Sequence, residues 1–348
     1  MKLLQLNLES GWRGGERQTL LCMQMFRQAG QSVTLLARRG GALAQKAKDQ
    51  GFDVYECRGP LGVLGFLLFR GRRYNVWHAQ TANTLTWLVL LKGLLSRPVV
   101  FTRRTAFTAS SLSKKTYFKW RLVDRFVAIS QAAAQAPQAA HLNVTIIPSA
   151  VVAQPINSAR VHSLSTQYGL SAKKVVATAA ALTAEKDPET LVRAIAKLAQ
   201  TRDDFIFVHL GADGDQAAVV RALLKRLGLE QRYILAGFQD GMADWYQLMD
   251  VFVSASRYEA LGTSVLDAFL YDVPVVTTNA GGLAELAAEG RALVCSVGDA
   301  NCLAASIGRV LDGGSWLEEQ QRRARVYVEQ QHAPTEMARR YLELYSQL

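Results

Sequence analysis

The sequence predicts an α/β chain with two doubly wound parallel sheets, one in each half. Three observations lead there. Short apolar runs rich in β-branched residues alternate with helical patterns. The series closes near residue 150 and restarts at 173. The length, 348 residues, suits two domains at roughly 100–200 residues each.

In the first half the expected strands are 2–8, 32–37, 53–57, 74–80, 98–104, 124–130 and 144–150. Helical patterns cover about 16–29 and 41–50. In the second half strands are expected at 173–182, 205–212, 232–238, 250–256, 274–280 and 292–298. Helices are expected at 187–201, 216–227 and 263–271, with a last one from Pro334 to Leu348. Residues 151–172 are polar and rich in turn formers and read as a linker. The domains are therefore expected at 1–160, joined by 334–348, and at 165–333. Ligands of open α/β sheets bind beyond the carboxyl ends of the strands, so two such sheets facing each other suggest a central cleft.

A composition of 49% hydrophobic and 20% charged residues excludes a disordered or collagenous chain. Cys22, Cys57, Cys295 and Cys302 form no CxxC pair and read as four reduced thiols of a cytoplasmic protein. The start MKLLQLNLES is too short and polar for a signal peptide. The apolar runs 61–69 and 84–95 fall short of the ~20 residues that span a bilayer.

Charge is divided unevenly. Residues 1–160 hold 22 Lys and Arg against 6 Asp and Glu, while the remainder hold 18 against 23. The formal net charge of +11 thus arises from a first half at +16 that suits an anionic surface or polymer. Its densest stretch, 70–125, mixes Arg70, Arg72, Arg73, Arg97, Arg103, Arg104, Lys114, Lys115, Lys119, Arg121 and Arg125 with aromatic residues, among them Phe69, Phe107, Phe118 and Trp120. Segment 110–123 reads as an amphipathic surface helix.

Glycine-bearing turns follow several strands. Gly14-Gly15-Glu16-Arg17 follows the first one and opens a helix, a setting suited to a phosphate or sugar. A dinucleotide fingerprint is excluded, because the G-x-G-x-x-G spacing and the ribose-binding acid are both missing. In the second half Lys186 follows a strand end, and Glu259 stands in the turn before a helix holding Asp267. The amides near Leu261, Gly262 and Thr263 are suited to an oxygen anion, and Gly281-Gly282 forms a third turn on the same sheet edge. Asp213-Gly214-Asp215 has a metal-motif look, but its place between strand and helix reads as turn chemistry and capping, so no metal is expected. His78 lies at a strand end, where it could face an acceptor but reads more readily as structural, and His209 within a strand reads as packing; His141, His162 and His332 read as surface or linker residues.

These residues resemble the retaining, nucleotide-sugar-dependent glycosyltransferases of family four. The E-x7-E segment of that family resembles Glu259 to Asp267, and its phosphate-binding Lys resembles Lys186. Its PVV, GG and E segment resembles Pro274 to Val276, Gly281-Gly282 and Glu285. Its N-terminal GG loop resembles Gly14 to Arg17, and its IPN-G junction resembles Ile147 to Ala150. The likeness is diffuse over 40–140. This chain departs at Asp267, where Glu is usual; at Ala181, where Arg is frequent; at Asp187, where Gly is common; and at Arg103 and Arg104, where many members carry His.

The resemblance implies the GT-B fold, an acceptor-binding first domain and a nucleotide-sugar-binding second one. It implies that Glu259 holds donor-sugar hydroxyls and Asp267 the ribose. Lys186 and the Gly14-Gly15 loop would stabilise the leaving diphosphate, with Leu261, Gly262, Thr263, Gly281 and Gly282 around the donor. Arg103 would contact a phosphate or acceptor. No metal and no cofactor would be needed beyond the donor itself, a UDP-sugar being favoured, and anomeric configuration would be retained. The partners implied are a glycolipid or oligosaccharide acceptor of the lipopolysaccharide type and an anionic membrane surface, met by Arg104, Lys114, Lys115, Lys119, Trp120 and Arg121. The protein would then sit at the inner face of the cytoplasmic membrane and bind no nucleic acid. Alternatives are a sugar-nucleotide epimerase of the same fold and a basic nucleic-acid-binding protein; the latter would leave Lys186, Glu259 and Asp267 idle.

Overall fold

The computed structural model describes residues 1–106 and 113–348. Phe107 and residues 110–112 of the expected surface helix lie outside the described residues. The chain divides into two compact units, Met1–Ala150 with Gln331–Leu348, and Val151–Gln330.

The first unit alternates β1 (Lys2–Asn7), α1 (Gly14–Gln28), β2 (Ser32–Arg38), α2 (Ala42–Asp49), β3 (Asp53–Cys57), α3 (Pro60–Arg70) and β4 (Val76–Ala79). It continues through α4 (Ala82–Leu95), β5 (Val99–Arg103), α5 (Lys114–Arg121), β6 (Arg125–Ala128), α6 (Gln131–Ala139) and β7 (Val144–Ile146). All seven strands are parallel, in the order β3-β2-β1-β4-β5-β6-β7. Strands covered on both faces must be apolar on both, and β1, β2 and β5 are buried almost end to end. One face packs under α3, α4 and α5 through Val63, Leu67, Leu88 and Trp120. The other packs under α1 and α2 through Met23, Phe26 and Ala44.

The second unit runs α7 (Ser158–Gln167), β8 (Lys174–Ala179), α8 (Pro188–Leu198), β9 (Phe205–Leu210), α9 (Ala217–Arg226), β10 (Tyr233–Gly237), α10 (Met242–Tyr246) and β11 (Val251–Ser254). Then follow α11 (Thr263–Leu270), β12 (Val275–Thr278), α12 (Gly282–Ala287), β13 (Leu293–Cys295), α13 (Ala300–Asp312) and α14 (Ser315–Gln331). Its six strands are parallel, in the order β10-β9-β8-β11-β12-β13. The last helix, α15 (Pro334–Ser346), belongs to the first unit. Phe26 of α1 meets Tyr341 and Tyr345 of α15 edge-on at 6.0 and 5.6 Å.

Three expectations are corrected. Segment 151–172 is not only linker: it contains α7, capped by Asn157, whose side chain accepts from Arg160 N, and held to α10 by the Arg160–Asp244 ion pair at 3.2 Å. His332 is buried rather than at the surface, and its Nδ1 donates to the Ser149 carbonyl at 2.7 Å. Cys295 and Cys302 form a disulfide, so the chain does not carry four free thiols. The end of β13 and the first turn of α13 bring their Cα atoms to 5.7 Å, a proximity that a spacing of seven does not reveal. Cys22 and Cys57 are the free ones, both buried.

His78 is buried between the first sheet and α15. Its Nδ1 accepts from Tyr345 Oη at 2.6 Å and its Nε2 donates to Thr102 Oγ1 at 2.7 Å, which in turn meets Tyr341 Oη at 2.9 Å. His209 accepts from Tyr233 Oη at 2.8 Å and donates to the Ala180 carbonyl at 2.9 Å. Both rings are structural, as the sequence suggested. Burial pushes both down, His78 far below the usual range and His209 to about 4.

Two outcomes follow from these buried groups. The unfolded chain takes up protons below pH ~6.5, whereas folded His209 takes one up only at about 4 and buried His78 also resists protonation, so stability present at neutral pH is lost as pH falls through that window, on the order of 3 kcal/mol from His209. Urea unfolding at pH 7 and pH 5 should record this loss, and His209→Gln, whose amide can still donate to Ala180, should flatten it. Thiol titration of the unfolded protein should count two thiols before reduction and four after, and reduction should remove about 2–3 kcal/mol of stability.

Candidate functional site

Each sheet reverses its strand order once, between β1 and β4 in the first unit and between β8 and β11 in the second. Ligands of open α/β sheets bind beyond the carboxyl ends of the strands at such switch points. In the second unit the turn after β8 carries Lys186, and the turn after β11 carries Glu259. The two side chains form a direct ion pair, 24% and 19% exposed.

These turns are tied together in three further ways. Arg257 N and Tyr258 N both donate to the Glu185 carbonyl, at 2.8 and 3.4 Å. The Arg257 guanidinium pairs with the buried Asp187 at 2.8 Å. Asp187 also caps α8, accepting from Thr190 Oγ1 at 2.7 Å. It adopts φ +48°, in the left-handed region. Aspartate is among the non-glycine residues that adopt this backbone most readily.

The third turn, Asn279 to Gly282, joins through Gly282 N, which donates to the Glu259 carbonyl at 2.9 Å. A Cβ on Gly282 would stand 2.4 Å from the Ala260 oxygen and 2.7 Å from Leu261 Cα. Gly262, at φ +94°, caps α11, whose first residue is Thr263. Leu261 is buried, Thr263 half-buried, and Asp267 lies one turn into α11 at 8% exposure. Lys186, Glu259, Gly262, Gly281 and Gly282 are thus gathered on one sheet edge, as expected.

The Asp213-Gly214-Asp215 string serves the fold, but not by the capping that was expected: the N-cap of α9 is Gln216, with no side-chain bond. Asp213 pairs with Arg221 of α9 at 2.8 Å, and Asp215 accepts from Ala184 N at 3.2 Å. Among the described residues no cluster of three or more His, Cys, Asp or Glu is placed to hold a metal ion.

In the first unit Gly14 and Gly15 are the opening residues of α1, with Glu16 accepting from Arg13 N at 2.8 Å. Side chains alternate along a strand, and this divides the paired arginines. Arg103, expected at a ligand, is only 2% exposed. It donates to the Thr105 carbonyl at 2.8 Å and lies over the Trp120 ring at 4.8 Å. Burial lowers its pKa to about 10. Arg104, expected at an acceptor or membrane surface, lies beside Gly15 and donates to Gln80 Oε1 at 2.6 Å and Ser149 Oγ at 3.0 Å. Trp120, expected at a membrane, is likewise buried, packed edge-on against Phe126.

Sequence reasoning missed three residues. Arg257 was open to notice as a base two places before Glu259. Gln18, which brackets Ala150 N and O at 3.1 and 2.5 Å, and Gln80 gave no signal, since a lone glutamine matches no motif.

Two parallel doubly wound units of this kind define a GT-B α/β fold. Residues 173–313, all in the second unit, match the family model described as Glycosyl transferases group 1. The lipopolysaccharide core biosynthesis mannosyltransferase LpsB of Rhizobium meliloti (strain 1021) is 29% identical over 231 residues, 63% of each chain. The mannosyltransferase LpcC of Rhizobium leguminosarum bv. viciae is 27% identical over 63% of this chain and 62% of its own. The chain thus aligns with under two thirds of these relatives' length. The Anabaena protein Alr3699/HepE, solved in complex with UDP-glucose, superposes with a TM-score of 0.89 at 20% identity, over 100% of both chains; at that identity the likeness is one of fold.

Two glycines separate folding from function. Gly282→Ala should destabilise the second unit by about 1–3 kcal/mol, because backbone and not a yielding side chain blocks the methyl. Gly15→Ala meets only Arg104 Cδ at 3.8 Å and should leave the urea midpoint unchanged.

Proposed function

We propose that this protein is a glycosyltransferase that moves a sugar from a nucleotide-diphosphate sugar to a lipopolysaccharide-type or other lipid-linked glycan acceptor. The observation that carries the reading is the pairing of Lys186 with Glu259 at the switch point of the second sheet, inside the segment that the family model matches. The names of the relatives, lipopolysaccharide core mannosyltransferases, support the acceptor class. The UDP-glucose complex of the Anabaena protein supports the donor class.

Both partners of this ion pair are half-buried, so a ligand that separates it must offer each charge a new partner. In our reading the diphosphate takes Lys186, and the freed Glu259 carboxylate accepts hydrogen bonds from donor-sugar hydroxyls. The amides at the start of α11 face the oxygen anions, and Asp267 takes the ribose. Negative charge developing on the leaving diphosphate then meets fixed cationic and amide donors, which is electrostatic catalysis without a metal. Departure of the diphosphate and attack by the acceptor on the same face retains the anomeric configuration and uses no protein nucleophile. In the first unit the role expected of Arg103 passes to Arg104, whose side chain lies beside Gly15 in the first turn of α1. We place the enzyme at the inner face of the cytoplasmic membrane on the strength of the acceptor class.

Thermal shift against UDP, GDP and ADP, with and without EDTA, tests the donor site by mass action. One nucleotide diphosphate should raise the melting temperature, unaffected by EDTA. Lys186→Ala should abolish that shift. Glu259→Gln removes the carboxylate that competes for Lys186, so it should keep or enlarge the shift while lowering sugar transfer at least ~100-fold. No shift with any nucleotide would overturn the donor-site assignment. Proton NMR of the first-formed product reads the anomeric configuration.

A further inference from the structure

Helix α14 carries a stripe of polar and aromatic residues that the donor site does not use. Trp316, Glu319, Gln320, Arg323 and Tyr327 recur at helical spacing and share one side of the helix. That side faces the connection between α12 and β13 and leaves two hollows there. The first, of about 330 Å³, is lined by Glu289, Arg291, Arg322, Arg323 and Tyr327, among others. The second, of about 260 Å³, is lined by Gly290, Leu293, Trp316, Glu319 and Gln320, among others. Arg323 lines both, so the hollows meet at its side chain. All of these residues belong to the second unit.

The first hollow is cationic. The buried Arg291 guanidinium is fixed in its wall: Nε and Nη2 donate to the Leu286 and Glu285 carbonyls at 2.8 Å each, and Nη1 pairs with Glu289 at 2.9 Å. Arg322 and Arg323 share one carboxylate, Glu319, at 2.7 Å. Arg323 Nη1 donates to the Glu289 carbonyl at 3.1 Å. Among the described residues Arg322 Nη1 and Arg323 Nη2 are left without a partner. Three guanidiniums thus meet two carboxylates. The balance suits an anion, and a guanidinium fork matches the oxygens of a phosphate.

The second hollow holds an unmet acceptor. Gln320 stands in the buried stripe of α14 with Ala324 and Val328, where a helix ordinarily places an apolar side chain. It is 4% exposed, and its Oε1 has no hydrogen-bond partner. Buried polar atoms are rarely left so. A phosphate dianion brings only acceptors, whereas a sugar hydroxyl brings the donor that this oxygen lacks. We infer that the two hollows form a second ligand site, apart from the donor site, for a sugar phosphate. The phosphate lies on Arg322 and Arg323 beside Arg291, and a hydroxyl donates to Gln320. Small-molecule sites begin at about 300 Å³, and the joined hollows clear that size. A nucleotide suits the site less well, because Arg309 and Arg291 already cover one face each of Trp316 and Tyr327, at 4.5 and 3.9 Å, where a base would stack. The site does not depend on the transferase reading.

Isothermal titration calorimetry of the full chain tests it. Glucose 6-phosphate should bind at least ~10-fold more tightly than inorganic phosphate, and glucose should bind more weakly than either. Arg322→Gln/Arg323→Gln, at two exposed positions, should weaken glucose 6-phosphate at least ~10-fold. Gln320→Met should reduce its affinity to that of phosphate. Without ligand the same variant should keep or raise the melting temperature, because it removes an unpaired amide from the interior. Both variants should keep the wild-type response to nucleotides, and Lys186→Ala should bind glucose 6-phosphate as the wild type does. No binding, or equal affinity for phosphate and glucose 6-phosphate, overturns the site. So does binding that Lys186→Ala abolishes and the arginine variant spares, which would put the sugar phosphate at the donor site. Binding that follows Arg322, Arg323 and Gln320 with no nucleotide shift anywhere sinks the transferase reading and leaves this site standing.

Discussion

The second unit depends on one constraint: three strand-end turns must pack against one another at backbone distance. The Glu185 carbonyl receives two amides of the turn after β11, and the Glu259 carbonyl receives Gly282 N from the turn after β12. Such contact leaves no room for side chains. Gly211 and Gly214 face the Ala180 and Leu182 carbonyls, and Gly282 faces that of Ala260, each closer than any Cβ tolerates. Glycine is needed here for the absence of a side chain more than for its flexibility. Once the turns are fixed, the positions of Lys186, Glu259 and the start of α11 follow, because each lies within a few residues of a backbone bond between turns.

Two ion pairs cross the same turns, and they do different work. Arg257–Asp187 has a buried carboxylate that also caps α8, so losing the arginine would strand a buried charge, a cost of several kcal/mol. Lys186–Glu259 is half-buried on both partners and lies where the sheet reverses its strand order. It keeps two opposite charges side by side there, while Arg257–Asp187 ties together the turns that carry them.

What the sequence made legible follows from the range of the signals. Strand and helix periodicity is local, and the parallel strands fell where the apolar runs lay. The glycine turns and Lys186, Glu259 and Gly281-Gly282 were readable because each sits at a strand end, and strand ends of a parallel sheet share one edge. Direction of side chains was harder. Arg103 and Arg104 are adjacent and chemically identical, and only the pleat decides which enters the core; the interior took Arg103, with Trp120 lying against it. Long-range partnerships gave no local trace. His332 finds Ser149 across 183 residues, and Cys295 finds Cys302 only because α13 begins beside the end of β13. The helix α7 inside a polar segment was hidden because few of its residues are buried.

The charge asymmetry of the chain is resolved by the same bookkeeping of directions. In the first unit Arg103 is spent in the core and Lys92 on Asp124. Arg104 stands at a strand end, held by Gln80 and Ser149. Most of the remaining bases between 58 and 125 lie outside, on the helices whose inner sides form the core. A helix that buries one stripe is free to vary the other, and a solvated stripe needs no leucine or phenylalanine. On α3 and α4 the outer stripe is apolar and its rim basic, a combination that water alone does not favour. The strong positive charge of the first half therefore belongs mainly to a surface and only in small part to the site, and it sits on the sheet face opposite α1, α2 and α15.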